Sequence, residues 1–326
     1  MGNRLEGRVA IITGSGRGIG RGVALQMAEE GAAVVVADFG GNVDGSGGDT
    51  GPADGVVQEI KAKGGRAIAH YGDVSKLENT QDLVATALRE FGKVDIMCHV
   101  AGILRDRMLF NMTEEEWDAV FAVHLMGAYN MVKSVLPTML ERRYGRILIF
   151  SSGSGLGNTG QANYSAAKEA QVGFSRALAR ELGPYGITVN AIYPGGATRM
   201  TQSIPAAATQ LRAAAGIQGA GRGAPVAGAP AAPPPILEVN TGKGPTQGDP
   251  ENNAPTTTWL CTEAGGAISG QVIGVSGWQA SRYNPRHVYR SIHRARHWTI
   301  EELAKAIPEQ LMVDVPNPAP KLQPKE

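Results

Sequence analysis

The stretch VAIITGSGRGIG, Val9 to Gly20, runs from an apolar, β-branched segment through a glycine-rich turn into the start of a helical pattern. Its glycines let the backbone turn tightly and approach a pyrophosphate, whose charge is favoured by free N–H groups at a helix N-terminus. Glycines alone are weak evidence, since any strand-to-helix turn can need one. Their place after the first strand of a β–α repeat makes this a dinucleotide-binding turn. The spacing, Gly14, Gly18, Gly20, is wider than G-x-G-x-x-G. Outward from it, short β-branched runs (AVVVAD, AIAHYGDV, DIMCHVAG, RILIFSS, ITVNAIYPG) alternate with longer helical patterns. That rhythm predicts βαβ units, hence a doubly wound α/β fold: a parallel sheet with helices on both faces and ligands at the carboxyl ends of its strands.

At 326 residues the chain has the length for one large domain with additions. Lys+Arg 31 against Asp+Glu 30 leaves a net charge of +1, which gives no electrostatic argument for a nucleic acid or an anionic membrane as partner. Cys98 and Cys261 lie far apart in apolar runs and read as reduced core thiols. The N-terminal segment lacks the apolar stretch of a secretory signal, Glu6 occupies the Ser/Thr position of a myristoylation motif, and the terminal QPKE is no peroxisomal address. No apolar run approaches membrane-spanning length. The expectation is a soluble, cytoplasmic protein acting on a small molecule, with no metal site.

Three segments break the rhythm. Residues 40–55 form a long Gly/Asp loop; residues 205–256 are Ala/Gly/Pro-rich and read as a flap over a substrate; residues 282–326 form a tail after a last strand in SGQVIGVSGW. The expected organisation is a single dinucleotide-binding domain, 1–281, with that flap and a C-terminal extension, 282–326. Thr299 with Glu302 makes a capping box for one helix in the tail. The tail's Arg282, Arg286, Arg290, Arg294 and Arg296 are interleaved with His287, His293 and His297. They read as a solvated basic face, with contact to a substrate's phosphates as the other possibility.

Asp38 ends the second strand, where a carboxylate accepts hydrogen bonds from the adenosine ribose hydroxyls and repels a 2′-phosphate; this favours NAD. Asp73 and Val74 end the third strand and fit either an adenine contact or an ordinary helix cap. Tyr164 and Lys168, four residues apart on a helix, share a face. A phenol with a pKa of about 10 is a poor base at neutral pH until a nearby cation stabilises the phenolate, and Lys168 can supply that charge. A serine on the adjoining strand end would hold the substrate oxygen while Tyr164 takes its proton.

TGSGRGIG, Asp73-Val74, YSAAK and VNAIYPGG together resemble the short-chain dehydrogenase/reductase family, with its Rossmann fold, over residues 5–281. DFGG, AGILRDRM, VHL, GNTGQANYSAAK and TRMTQ bring the likeness closest to the (3R)-3-hydroxyacyl-CoA dehydrogenase part of peroxisomal multifunctional enzymes and similar bacterial dehydrogenases. The resemblance implies a catalytic tetrad of His124, a serine, Tyr164 and Lys168, with His124 standing where most of the family has an Asn in the proton relay. It implies cofactor contacts from Gly14, Arg17, Gly18, Ile19, Gly20, Asp38, Asp73, Val74, Ala101, Gly102, Tyr164, Lys168, Pro194, Gly195 and Thr198. It further implies a homo-oligomer, dimer or tetramer. Counting thirteen residues back from Tyr164 selects Ser151; counting along the strand selects Ser152, which is preferred because strand geometry is fixed. The family's NNAG reads His99-Val100-Ala101-Gly102 here, so a polar tie in the sheet is either lost or replaced by His99. The substrate class implied first is a (3R)-3-hydroxyacyl-CoA, with a steroid or alicyclic alcohol as the alternative. A non-catalytic NAD(H)-binding sensor would be the rival from another class, and such proteins usually lose the Tyr/Lys pair kept here.

Overall fold

The computed structural model describes residues 2–202, 246–284, 286, 288 and 290–313. The apolar runs form β1 (Val9–Thr13), β2 (Ala33–Ala37), β3 (Arg66–His70), β4 (Ile96–His99), β5 (Gly145–Phe150), β6 (Ile187–Pro194) and β7 (Val272–Ser276), with β8 (Gln279–Arg282) at the edge. Their order in the sheet is β3-β2-β1-β4-β5-β6-β7-β8. The first seven are parallel; β8 is antiparallel to β7. Strands β1, β2, β4 and β5 are buried throughout, which is why they read as unbroken apolar runs. The order reverses between β1 and β4, so the crevice for a ligand opens at their carboxyl ends.

One face of the sheet is covered by α1 (Gly18–Glu29), α2 (Gly51–Ala62) and α8 (Ala254–Leu260), through Val23, Met27, Val56, Ile60 and Leu260. The other carries α3 (Leu77–Phe91), α5 (Gly127–Arg142) and α6 (Ala162–Leu182), through Leu83, Met131, Val135 and Leu178. Helix α4 (Glu114–Phe121) starts at a capping box, with Thr113 accepting from Glu116 N and the Glu116 side chain returning to Thr113 N. It continues through a π turn, Ala122–Met126, into α5. A short α7 (Arg199–Gln202) follows β6, and α9 (Ile300–Ala306) starts at the Thr299–Glu302 capping box expected for the tail.

Four expectations are corrected. The loop assigned to 40–55 ends earlier, because Pro52 stands in the first turn of α2, where a missing N–H costs nothing. Strand β8 was unforeseen; only Gly277 and Trp278 separate it from β7, and Gly277 takes φ +56° as a two-residue hairpin turn requires. By length and composition the continuous helix Glu114–Arg142 could cross a membrane, its most apolar 18-residue window having a mean hydropathy of 1.3, contrary to the sequence reading. Its apolar side packs on the sheet instead. The flap assigned to 205–256 lies outside the described residues over 205–245. Residues 246–256 belong to the folded body: Asn253 is fully buried, Ala254 is in the core and Glu251 pairs with Arg21 of α1. In the tail, Arg286 pairs with Glu169 of α6 at 2.6 Å and Arg294 and Arg296 both pair with Glu302, so three of the five arginines meet two local carboxylates; His287 is outside the described residues. Cys98 and Cys261 are both buried and unbridged, and they neighbour each other in the core.

Candidate active site

A cleft of about 1480 Å³ opens at the carboxyl ends of the strands, and every site residue expected from the sequence lines it. The glycine loop forms its floor. Gly14 has φ +65°, and a Cβ there would lie 2.8 Å from the Ala101 backbone, so β1 and β4 approach at a distance only glycine allows. Arg17, at the N-cap of α1, places no side-chain acceptor over the first-turn N–H groups, which suits a bound anion. Asp38 is fixed by two backbone donors, Gly16 N and Gly40 N, each at 2.7 Å. Gly16 was missed by the sequence reading although it lies in the same motif; a Cβ there would sit 2.9 Å from the Asp38 carboxylate. Asp73 is engaged otherwise: its carboxylate accepts from Ser75 N at 2.9 Å and Ser75 Oγ at 2.8 Å, which closes a turn, while the Val74 carbonyl is held by buried Asn130. These features fit a dinucleotide: a backbone cradle without side chains, an open helix N-terminus and a fixed carboxylate one strand away.

Residues 39–50, between β2 and α2, make up most of the stretch read from the sequence only as a long Gly/Asp loop, 40–55. They cross the cleft. The Val43 carbonyl accepts from Leu104 N at 2.9 Å and the Asp44 carbonyl from Arg105 Nε at 3.0 Å. Val43 packs against a cluster that includes Ile103, Leu104, Val120 and Tyr164. Asp44 ties its own turn by accepting from Ser46 N and Oγ, and those bonds hold its carboxyl below the usual range. The loop that begins at the ribose carboxylate thus also walls the chamber around Tyr164.

Tyr164 is 9% exposed and Lys168 3%. The lysine Nζ donates to the Phe150 carbonyl at 2.5 Å and stands 5.5 Å from the Tyr164 ring centroid. Burial drives both groups toward neutrality: Lys168 falls to about 7 and Tyr164 rises to about 12. The lysine's expected lowering of the phenol is absent in the free protein: desolvation raises the phenol, the Ser152 hydroxyl pulls it down and the charge of Asp106 raises it further. The two serines separate cleanly. Ser151 is buried and donates to the Lys168 carbonyl at 2.6 Å, while Ser152 faces the cleft beside Tyr164.

His124 sits in the π turn, fully buried, with Nε2 2.8 Å from the Ile103 carbonyl and 3.1 Å from Ile103 N. Its ring meets Tyr164 edge-on at 5.1 Å, and burial followed by the charge of Lys168 holds it well below its ordinary pKa, as neutral imidazole. Nε2 thus holds the Ile103 backbone, and Nδ1 is buried with no hydrogen-bond partner among the described residues. A Cβ on Gly102 would run into that ring, which explains the glycine. The question left by HVAG is answered by His99: its Nδ1 lies 3.2 Å from Thr13 Oγ1, which itself accepts from Val100 N and Ala101 N. The tie across β1 and β4 is replaced, not lost.

The family model for short chain dehydrogenases matches residues 8–209. A short-chain type dehydrogenase/reductase of Mycobacterium tuberculosis is 42% identical over 260 residues, 79% of either chain. The peroxisomal multifunctional enzyme type 2 of Mus musculus is 45% identical over 202 residues, 62% of this chain; the match spans 27% of that longer protein. Among solved structures, a short chain dehydrogenase from Mycobacterium avium superposes with a TM-score of 0.74 at 35% identity, covering 94% of this chain and 95% of its own.

Proposed function

The chain belongs to the short-chain dehydrogenase family, and from that premise we propose that it is an NAD-dependent oxidoreductase interconverting a secondary alcohol and a ketone, with (3R)-3-hydroxyacyl-CoA as the substrate class. The observation that carries the reading is the meeting of Ser152 and Tyr164 at the cleft, one helical turn from a buried Lys168 that titrates near neutrality. A sensor that only bound the dinucleotide would have no use for a serine and a tyrosine hydroxyl meeting at the cleft. The Asp38 carboxylate, anchored by two glycine N–H groups, is placed to accept from a ribose diol and to repel a 2′-phosphate. The likeness to peroxisomal multifunctional enzymes supports the acyl-CoA class.

A dinucleotide held by the glycine loop, Asp38 and Lys168 would supply hydride transfer and, in its oxidised form, a positive charge. Ser152 holds the substrate oxygen by its hydroxyl. Tyr164 exchanges one proton with that oxygen at Oη: it takes the proton as the alcohol becomes a ketone and returns it in the reverse direction. Oxidation removes two electrons and a proton from the carbon and one further proton from the oxygen, so one proton is released per turnover. Lys168, which gains and loses a proton near pH 7, replenishes or drains Tyr164. Val43, Ile103 and Leu104, which line the cleft, would keep water from the reacting carbon.

The reading is tested with purified protein, (3R)- and (3S)-3-hydroxybutyryl-CoA, steroid alcohols and both dinucleotides. Turnover of the (3R) thioester with NAD is expected, and turnover confined to steroids would move the substrate class. Tyr164→Phe is expected to lower kcat by about 10²–10⁴-fold with NADH still bound. Ser152→Ala should cost far more than Ser151→Ala; a Tyr164→Phe protein keeping a tenth of wild-type kcat would overturn the acid/base assignment.

A further inference from the structure

Two buried amides flank the Tyr164–Lys168 pair on α6, and neither touches the cleft. Asn163, fully buried, donates from Nδ2 to the carbonyls of Arg105 and Glu116, both at 3.0 Å, while its Oδ1 accepts from Tyr164 N at 2.7 Å. Gln171, also fully buried, donates from Nε2 to the His124 carbonyl at 2.8 Å. Tyr164, Lys168 and Gln171 follow i, i+4, i+7 spacing, so the amide continues the catalytic stripe one turn further down the helix.

The partner of Gln171 is unusual backbone. A π turn leaves the regular helical ladder, so its carbonyls need ties from outside. Gly127 N–H is shared between the Ala122 and His124 carbonyls, and His99, from the sheet side, faces the carbonyls of Val123 and His124. The His99 Nε2 and the Gln171 Oε1 have no hydrogen-bond partner among the described residues. A buried polar atom without a partner is destabilising, so an apolar residue of the same size would serve packing better at position 171. The amide is explained by what its other end holds.

We propose that Asn163 and Gln171 are positioning residues: two amide clamps, one on each side of the Tyr164–Lys168 pair, that hold α6 in register on the α4–π-turn segment carrying His124. This rests on Tyr164 and Lys168 being the acid/base pair. Asn163 sets the height of Tyr164 against the Arg105 loop, and Gln171 sets the π turn whose His124 ring lies edge-on to Tyr164 and fixes Ile103. Loss of either clamp lets the phenol shift against the substrate oxygen while the glycine loop and Asp38 are left as they were.

The test uses Gln171→Met, which keeps length and apolar volume but cannot donate, Gln171→Glu, which keeps shape but presents no donor when ionised, and Asn163→Leu. Each is assayed by NADH oxidation with acetoacetyl-CoA and with cyclohexanone, using NADH and NADH deuterated at the transferred position. Since misplacement of about 1 Å at a reacting centre can cost 10²-fold, kcat is expected to fall by about 10- to 100-fold, with the Kd for NADH within about twofold of wild type. Wild-type kcat in Gln171→Met, or a fall in kcat matched by an equal loss of NADH affinity, would overturn the proposal. Should Gln171→Met fail to fold, the same reading on Gln171→Glu decides. If wild type reduces neither ketone, the functional reading falls, and hydrogen exchange decides the clamp without turnover. Faster exchange of the Tyr164–Lys168 amides in Gln171→Met supports the clamp, and unchanged exchange overturns it.

Discussion

Lys168 shows how one residue's surroundings set its chemistry. Its ammonium is buried against the Phe150 carbonyl with no carboxylate partner among the described residues, and burial lowers its pKa from 10.5 to about 7. Below pH 7 the lysine is charged whether the chain is folded or not, so the folded state carries the full desolvation cost. Between pH 7 and 10.5 the folded protein holds it neutral while the unfolded chain still binds a proton, and stability therefore rises with pH across that window. Lys168→Met, which has no proton to lose, is expected to be more stable than wild type at pH 6, with the difference narrowing by pH 9.5 in urea unfolding. Tyr164, lifted to about 12, stays a phenol in both proteins over this range and cancels. A gap that stays constant with pH would mean that Lys168 is not desolvated as described. The Tyr164–Lys168 pair was legible because its spacing is a property of one helix. The choice between Ser151 and Ser152 was not, because it depends on which way each points at a strand end: Ser151 turns back to the Lys168 carbonyl and Ser152 forward to the phenol.

At the scale of elements, the strands and helices that build the sheet were readable because each buries a continuous apolar run or stripe. The β2–α2 connection was not. Its glycines and aspartates signal a turn, and nothing in that composition reveals that Val43 reaches the Leu104–Tyr164 cluster. The π turn was equally hidden, since one extra residue between two helices leaves the apolar pattern on either side intact. The loop's role can be probed at Gly45, which has φ +87° and where a Cβ would lie 3.2 Å from Ile103. Valine there is strained in the left-handed region and pushes against the chamber wall, a distortion of order 1–3 kcal/mol. Gly45→Val is expected to raise the substrate KM several-fold and, through that strain, to lower the melting temperature by several degrees, with the core clusters on either side of the sheet left intact because they do not include the loop. Wild-type KM in that variant would show that residues 39–50 are not part of the substrate wall.

For the whole molecule, the cleft draws on the ends of β1, β2, β4, β5 and β6 and on the first turn of α1, so a dinucleotide lying there would join elements from both halves of the sheet. A ligand that binds only the folded state stabilises it by RT ln(1 + [L]/Kd), about 2.7 kcal/mol at a hundred times Kd. At roughly 2–4 °C per kcal/mol for chains of 150–250 residues, that corresponds to a rise in Tm of about 5–11 °C, nearer the lower end for a longer chain. The rise depends on Asp38, because its two carboxylate oxygens are already oriented by Gly16 N and Gly40 N and need no rearrangement to meet a ribose diol. A 2′-phosphate would set a second negative charge against that fixed carboxylate. Arg17, which lines the same cleft, is 3.8 Å from Asp49 and therefore partly neutralised. NAD is accordingly expected to raise Tm by several degrees and NADP at the same concentration by clearly less. Asp38→Ser should shrink the NAD shift and enlarge the NADP shift, leaving the Tm of the free protein nearly unchanged apart from the two lost backbone bonds. An NADP shift equal to or larger than the NAD shift in the unaltered protein would overturn the cofactor assignment while leaving the fold and the Tyr164–Lys168 geometry as they stand.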